Sequence, residues 1–231
     1  HEADIANLIE NLTSGTRIKL IELESFNINP EIFIELNESI QSEVLQLLSI
    51  DSIIKIIKRL ESDNAIKILE NLEKDTKNKV LEKLPPKDKF LLEEGLSYPE
   101  DSAARIMQRD FTAVPSNWSV GQTIDYLRED KDLPEEFLEI FVVDNDFKPV
   151  GTVPSSRVLR TSRDLKMNSI MSVMPVLIST NMDQEEVGQA FENYNLVSAG
   201  VVNKNNKLVG MITADDVCLL YTSDAADDGL S

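Results

Sequence analysis

The chain has one cysteine and one histidine in 231 residues, and the histidine is its first residue. A single thiol excludes an internal disulfide framework. Without an internal histidine, the commonest general base and any histidine-rich zinc site are missing, so Ser102 and Ser155 have no partner to activate them and no enzyme is predicted. No stretch approaches the roughly 18 to 20 uninterrupted apolar residues of a bilayer-crossing helix, and no signal peptide opens the chain, so this segment is expected to be soluble. Positive charge is also scarce: 23 Lys and Arg face 41 Asp and Glu, a net charge of −18. Such a surface repels nucleic acid and anionic lipid and attracts cations, so no nucleic-acid partner is expected. Opening on His1, the chain is expected to be a piece of something longer.

What is present begins with a twelve-residue repeat over the first 96 residues. Leu12, Leu36, Leu48, Leu60, Leu72, Leu84 and Leu96 fall on it, with Glu24 out of phase. Four residues earlier in each unit stand Leu8, Leu20, Ile32, Val44, Ile56, Ile68, Val80 and Leu92. One further on come Ile9, Ile21, Phe33, Leu45, Ile57, Leu69 and Leu81, until Glu93 ends the series. An i, i+1, i+4 pattern is one face of a short helix, and short helices bury such stripes only by stacking. The prediction is a superhelical, solenoid-like all-α domain with these columns inside. Caps are expected at Asn29-Pro30, Asp51-Ser52, Ser62-Asp63, Asp75-Thr76 and Pro86 to Asp88.

At Leu96 to Met107 the pattern changes. Pro99 disfavours helix at Tyr98 and suits a first turn, where Glu100 and Asp101 place favourable negative charge; the stretch reads as a hinge. Beyond it two segments match. Ile106-Met107, a strand at Phe111 to Pro115, a helix at Ser119 to Leu127, a strand at Ile140 to Asp144 and Val150-Gly151-Thr152-Val153 lead into Ser156 to Leu159. Ile170-Met171, a strand at Pro175 to Ser179, a helix at Asp183 to Tyr194, a strand at Gly200 to Val202 and Leu208-Val209-Gly210-Met211-Ile212-Thr213 lead into Asp215-Asp216-Val217. The Ile-Met pairs are 64 residues apart and the glycines 59, the first copy having a longer helix-to-strand connection.

The Val-Val-Asp, Val-Gly and Gly-x-Ile-Thr-x-x-Asp pattern resembles the cystathionine β-synthase (CBS) domain, usually found as a tandem pair. With Ser97 to Ala103, the opening around Asp4-Ile5-Ala6, and Asp183 to Val187, the chain is similar to the cytosolic part of MgtE-type magnesium transporters. The resemblance implies an α + α/β fold: a helical N domain at 1–97, a hinge at 98–105, and CBS domains at 106–165 and 166–217. It further implies a regulatory region at the cytoplasmic face of the membrane, homodimeric through its CBS pair and joined to a transmembrane pore. From Cys218 to Asp227 the chain instead reads like a translated transposon mosaic end, so 218–231 is expected to be a non-native tail.

In that family Mg²⁺ held between N domain and CBS pair favours a compact closed state. One or two carboxylates per ion suffice, because Mg²⁺ keeps most of its water. A bare charge pair at 4 Å in water is worth only about 1 kcal/mol, so several are needed. Carried over by residue, the resemblance gives Asp63 with Asp216 as the first ligand pair and Asp183 with Glu185 as the second. Lys67 and Asn195 stand where the family has acidic residues and should weaken the response. Asp63 and Asp183 also suit helix starts without any ion. The alternative is an adenine-nucleotide sensor, with ATP between the copies and the helical domain binding a protein partner. Thr213 and Asp216 match the ribose-binding spacing, while the first copy offers Pro154 and Arg157, a cation for phosphate.

Overall fold

The structure, a computed structural model, describes residues 1–24, 29–131, 133–134, 137–174 and 176–218, the side chains of 21–24 excepted. The expected non-native tail lies outside the described residues from position 219 onward. The chain divides into two compact units, His1–Ser97 and the part beginning at Tyr98.

The first unit is helical throughout its described residues: α1 (Glu2–Asn11), α2 (Ser14–Glu24), α3 (Glu31–Glu35), α4 (Glu38–Leu47), α5 (Ile50–Ile57), α6 (Ser62–Glu70), α7 (Lys74–Lys83) and α8 (Pro86–Ser97). From α4 to α8 each helix begins twelve residues after the last. Helices pack on their next-but-one neighbours, α1 on α3, α2 on α4, α5 on α7 and α6 on α8. Ile32, Val44, Ile56, Ile68, Val80 and Leu92 are buried together with Ile9, Phe33, Leu45, Ile57, Leu69 and Leu81. Leu8 departs from its column, 59% exposed. The caps also sit earlier than the sequence suggested. Asn37 and Ser49 accept from the backbone N–H groups of Ile40 and Ser52, whereas Asp51, Ser62 and Asp63 lie inside first turns. Arg17, 4% exposed, closes the C-terminus of α1: its Nε donates to Ile9 O at 3.0 Å and its Nη2 to Glu10 O and Leu12 O at 3.2 and 2.9 Å.

The second unit contains α9 (Ala103–Ile106), β1 (Ala113–Pro115), α10 (Val120–Glu129), β2 (Glu139–Val143), β3 (Pro149–Pro154) and α11 (Ser155–Arg160). There follow α12 (Met167–Ile170), β4 (Ile178–Ser179), α13 (Gln184–Tyr194), β5 (Ser198–Val202), β6 (Leu208–Thr213) and a helical turn at 214–218. Two three-stranded sheets result, ordered β1-β2-β3 and β4-β5-β6, each with its first pair parallel and its second antiparallel. The β2–β3 and β5–β6 turns are alike: Asp144 Oδ1 accepts from the N–H groups of Asp146 and Lys148, as Asn203 Oδ1 does from Asn205 and Lys207.

The copies exchange their leading segments. Ile106 and Met107, read above as opening the first copy, are buried with Ile178, Val187, Val201 and Ile212 of the second. Met167 is buried with Val114, Val120, Ile140 and Val153 of the first, and Ile170 and Met171 pack against the same cluster. The backbone follows suit. Ala103 N–H donates to Met182 O at 2.7 Å, and Gln108 and Met211 exchange hydrogen bonds of 2.8 and 2.9 Å. Met167 N–H donates to Trp118 O at 2.9 Å, and Ser172 and Thr152 exchange two of 2.9 Å. This explains the repeated glycines. A Cβ at Gly210 would lie 2.7 Å from Met107 Sδ and 2.8 Å from Gln108 O; one at Gly151 would lie 2.8 Å from Met171 Sδ and 2.7 Å from Ser172 O. Only glycine admits the crossing segment.

Candidate functional site

Strand β6 delivers Thr213 at its end, and the helical turn that follows brings Asp216 back over it. Thr213 N–H and Oγ1 both donate to Asp216 Oδ2 at 2.8 Å. From the exchanged segment, Gln108 Nε2 donates to both carboxylate oxygens at 3.1 and 3.2 Å. Asp216 and Gln108 are each 4% exposed. Loss of solvent pushes the Asp216 carboxyl above the ordinary aspartate value, against the opposing pull of the Thr213 and Gln108 hydrogen bonds.

The same place in the first copy, 59 residues earlier, holds Pro154 and Arg157. Arg157 is exposed; its Nη1 donates to Ile170 O at 2.8 Å and to Ser172 Oγ at 3.1 Å. A cavity of about 400 Å³ opens here, lined by Pro154, Ser156, Arg157, Arg160 and Thr161. The two copies therefore place opposite charges at matching positions, one sealed and one open.

Asp183 caps α13, accepting from Glu185 N–H at 2.9 Å, and Asp183 and Glu185 are both exposed. Their hard oxygens, open to water on one helical turn, fit a hydrated Mg²⁺. Asp63 lies in the first turn of α6, 1% exposed, with Lys67 one turn on. Asp63 and Asp216 are buried in separate units, and neither presents a carboxylate to solvent as Asp183 does. Among the described residues no three or more His, Cys, Asp or Glu side chains converge as a metal site. Asn195 takes a left-handed conformation, φ 48°, to end α13, a position that suits asparagine for its own local reason. Gln108 was not singled out by sequence reasoning. The available signal was the repeat itself, which sets Gln108 against Ser172 directly after the paired methionines.

This arrangement of two β-α sheets with exchanged leading segments is that of a CBS pair: the CBS domain model matches residues 103–164 and 167–222. The model for the MgtE intracellular N domain matches residues 1–101, so the chain belongs to the MgtE family of magnesium transporters and holds its N domain and CBS pair. It is 27% identical over 143 residues to the magnesium transporter MgtE of Thermus thermophilus, covering 62% of this chain and 32% of that protein. To MgtE of Bacillus subtilis it is 26% identical over 133 residues, covering 58% and 30%. The chain thus spans about a third of the length of these curated relatives. Among solved structures it resembles the cytosolic domain of the Mg²⁺ channel MgtE in complex with ATP, with TM-score 0.86 and 24% identity over 95% of this chain and 90% of that one. It also resembles the soluble part of a magnesium transporter, with TM-score 0.69 and 19% identity over the whole of both chains. At these identities the structural likeness establishes the fold. Among the described residues no helix is long and apolar enough to cross a membrane.

Proposed function

We propose that this N domain and CBS pair sense Mg²⁺ and gate a transmembrane pore, the ion bridging acidic residues of the two units to favour a closed arrangement. Membership of the MgtE family, with both of its regulatory parts in order on one chain, carries this reading. The net charge of −18 supports it, since opposed carboxylates repel until a divalent ion joins them. Asp183 and Glu185 receive an ion first because their carboxylates are open to water. Asp63 and Asp216, the pair proposed to bridge the units, respond later, and an ion reaches Asp216 only after Gln108 has left it. Stacking of the helices into a superhelix and pairing of two copies through the CBS domains belong to the same proposal. Leu138, Leu159 and Val173, each more than 70% exposed, supply apolar surface for a second copy.

The test is a titration with MgCl₂ against NaCl of equal ionic strength, following thermal unfolding and the radius of gyration. A ligand that binds the compact state stabilises it by mass action, so millimolar Mg²⁺ should raise the melting temperature and shrink the particle beyond the Na⁺ control. Replacing Asp183 and Glu185 together by Ala should remove at least half of that excess. Equal effects of Mg²⁺ and Na⁺ would exclude the proposal.

A second reading, adenine-nucleotide sensing, is favoured by the open cavity with two guanidinium groups, Arg157 and Arg160, and by the ATP named in the related MgtE cytosolic structure. In this reading the first copy receives the phosphates.

A further inference from the structure

We infer that Gln108 is a specificity residue that closes the second copy to ribose, standing on Asp216 where the vicinal hydroxyls of a nucleotide would have to donate. The inference concerns the nucleotide reading alone and does not depend on Mg²⁺ sensing. A carboxylate recognises a diol by accepting a hydrogen bond at each oxygen. Both Asp216 oxygens already accept: Oδ2 takes the Thr213 N–H and hydroxyl, and Gln108 Nε2 lies within 3.2 Å of both. The Gln108 carboxamide thus satisfies the carboxylate as a bound diol would.

Gln108 is also held in place at little entropic cost. Its backbone is fixed by the paired hydrogen bonds to Met211, and the close approach over Gly210 sets the point from which its side chain starts. A preorganised intramolecular group outcompetes a ligand that must surrender its translational freedom. The first copy provides the control within the same molecule. Ser172 occupies the position of Gln108, over Gly151, paired with Thr152 in the same way. Its short hydroxyl accepts from Arg157 Nη1 at 3.1 Å without covering it, and Arg157 stays exposed on the wall of a cavity. Side-chain length at one repeated position therefore separates a sealed half-site from an open one. It follows that any nucleotide on this chain is recognised through its phosphates at Arg157 and Arg160, with little discrimination between ribose and deoxyribose.

The experiment is calorimetric titration of ATP and dATP into the whole chain and into Gln108→Ser, which installs the first-copy residue, Asp216→Asn, and the double variant. The unaltered chain should bind the two nucleotides within twofold of each other, or neither, and Asp216→Asn should change nothing beyond twofold. Gln108→Ser should raise ATP affinity at least tenfold, with no such gain for dATP, and the gain should vanish in the double variant. Asp216-dependent preference for ATP in the unaltered chain, or a folded Gln108→Ser without the gain, overturns the inference. If Gln108→Ser does not fold, the side-chain amide resonances of Gln108 in the unaltered chain decide: they should stay in place on addition of ATP, and their displacement refutes the closure.

Discussion

At the scale of single residues, Asp216 carries the clearest electrostatic consequence. Its burial raises its pKa from 3.8, so the folded chain keeps this proton to higher pH than the unfolded chain does. Between the ordinary value and the raised one the folded state binds more protons, and stability contributed by this group falls as pH rises. Asp216→Asn removes the titration while keeping an acceptor for Thr213. The stability difference between variant and parent, measured by urea unfolding at several pH values, should tilt toward the variant as pH rises through and above the ordinary aspartate range. A constant difference would show that Asp216 does not titrate in that window. The site was half legible. Thr213 and Asp216 stood out by their spacing, but Gln108 lies more than a hundred residues from the carboxylate it covers, and no local pattern links them.

Among the elements, the helices of the first unit were readable because one stripe repeats every twelve residues, and burial of that stripe enforces the boundaries. Their caps were less so: many Ser and Asp residues suit either the cap or the first turn, and tertiary packing chooses between them. The closure of α1 was invisible for another reason. Arg17 sits in the following helix and satisfies three carbonyls of its predecessor through its rigid fork, while its Nη1 pairs with Glu43. Arg17→Met leaves those carbonyls and Glu43 without that guanidinium and should cost about 3 kcal/mol in chemical unfolding. Arg17→Lys should recover only part, since one ammonium cannot reach the same set. A loss below about 0.5 kcal/mol for Arg17→Met would mean that water replaces the guanidinium freely.

For the molecule as a whole, the order of parts along the chain was legible, but the exchange of segments between the CBS copies was not, since the same apolar residues satisfy either core. That exchange fixes where the second unit can be cut. A fragment of residues 98–218 should unfold in one cooperative thermal transition, whereas 109–218, lacking Ala103, Ala104, Ile106 and Met107 from the second core, should show no cooperative transition by circular dichroism. The crossing also dictates an order of events on the ribosome. Synthesis emits Ala103 to Met107 early, yet the sheet that shelters them ends at Thr213, so this greasy stretch waits through more than a hundred residues of translation for its partner. The first sheet, for its part, gains its last wall only when Met167 to Met171 emerge. Neither copy can be finished before the other is begun, which makes the pair, and not the single domain, the unit that the cell must protect from misassembly.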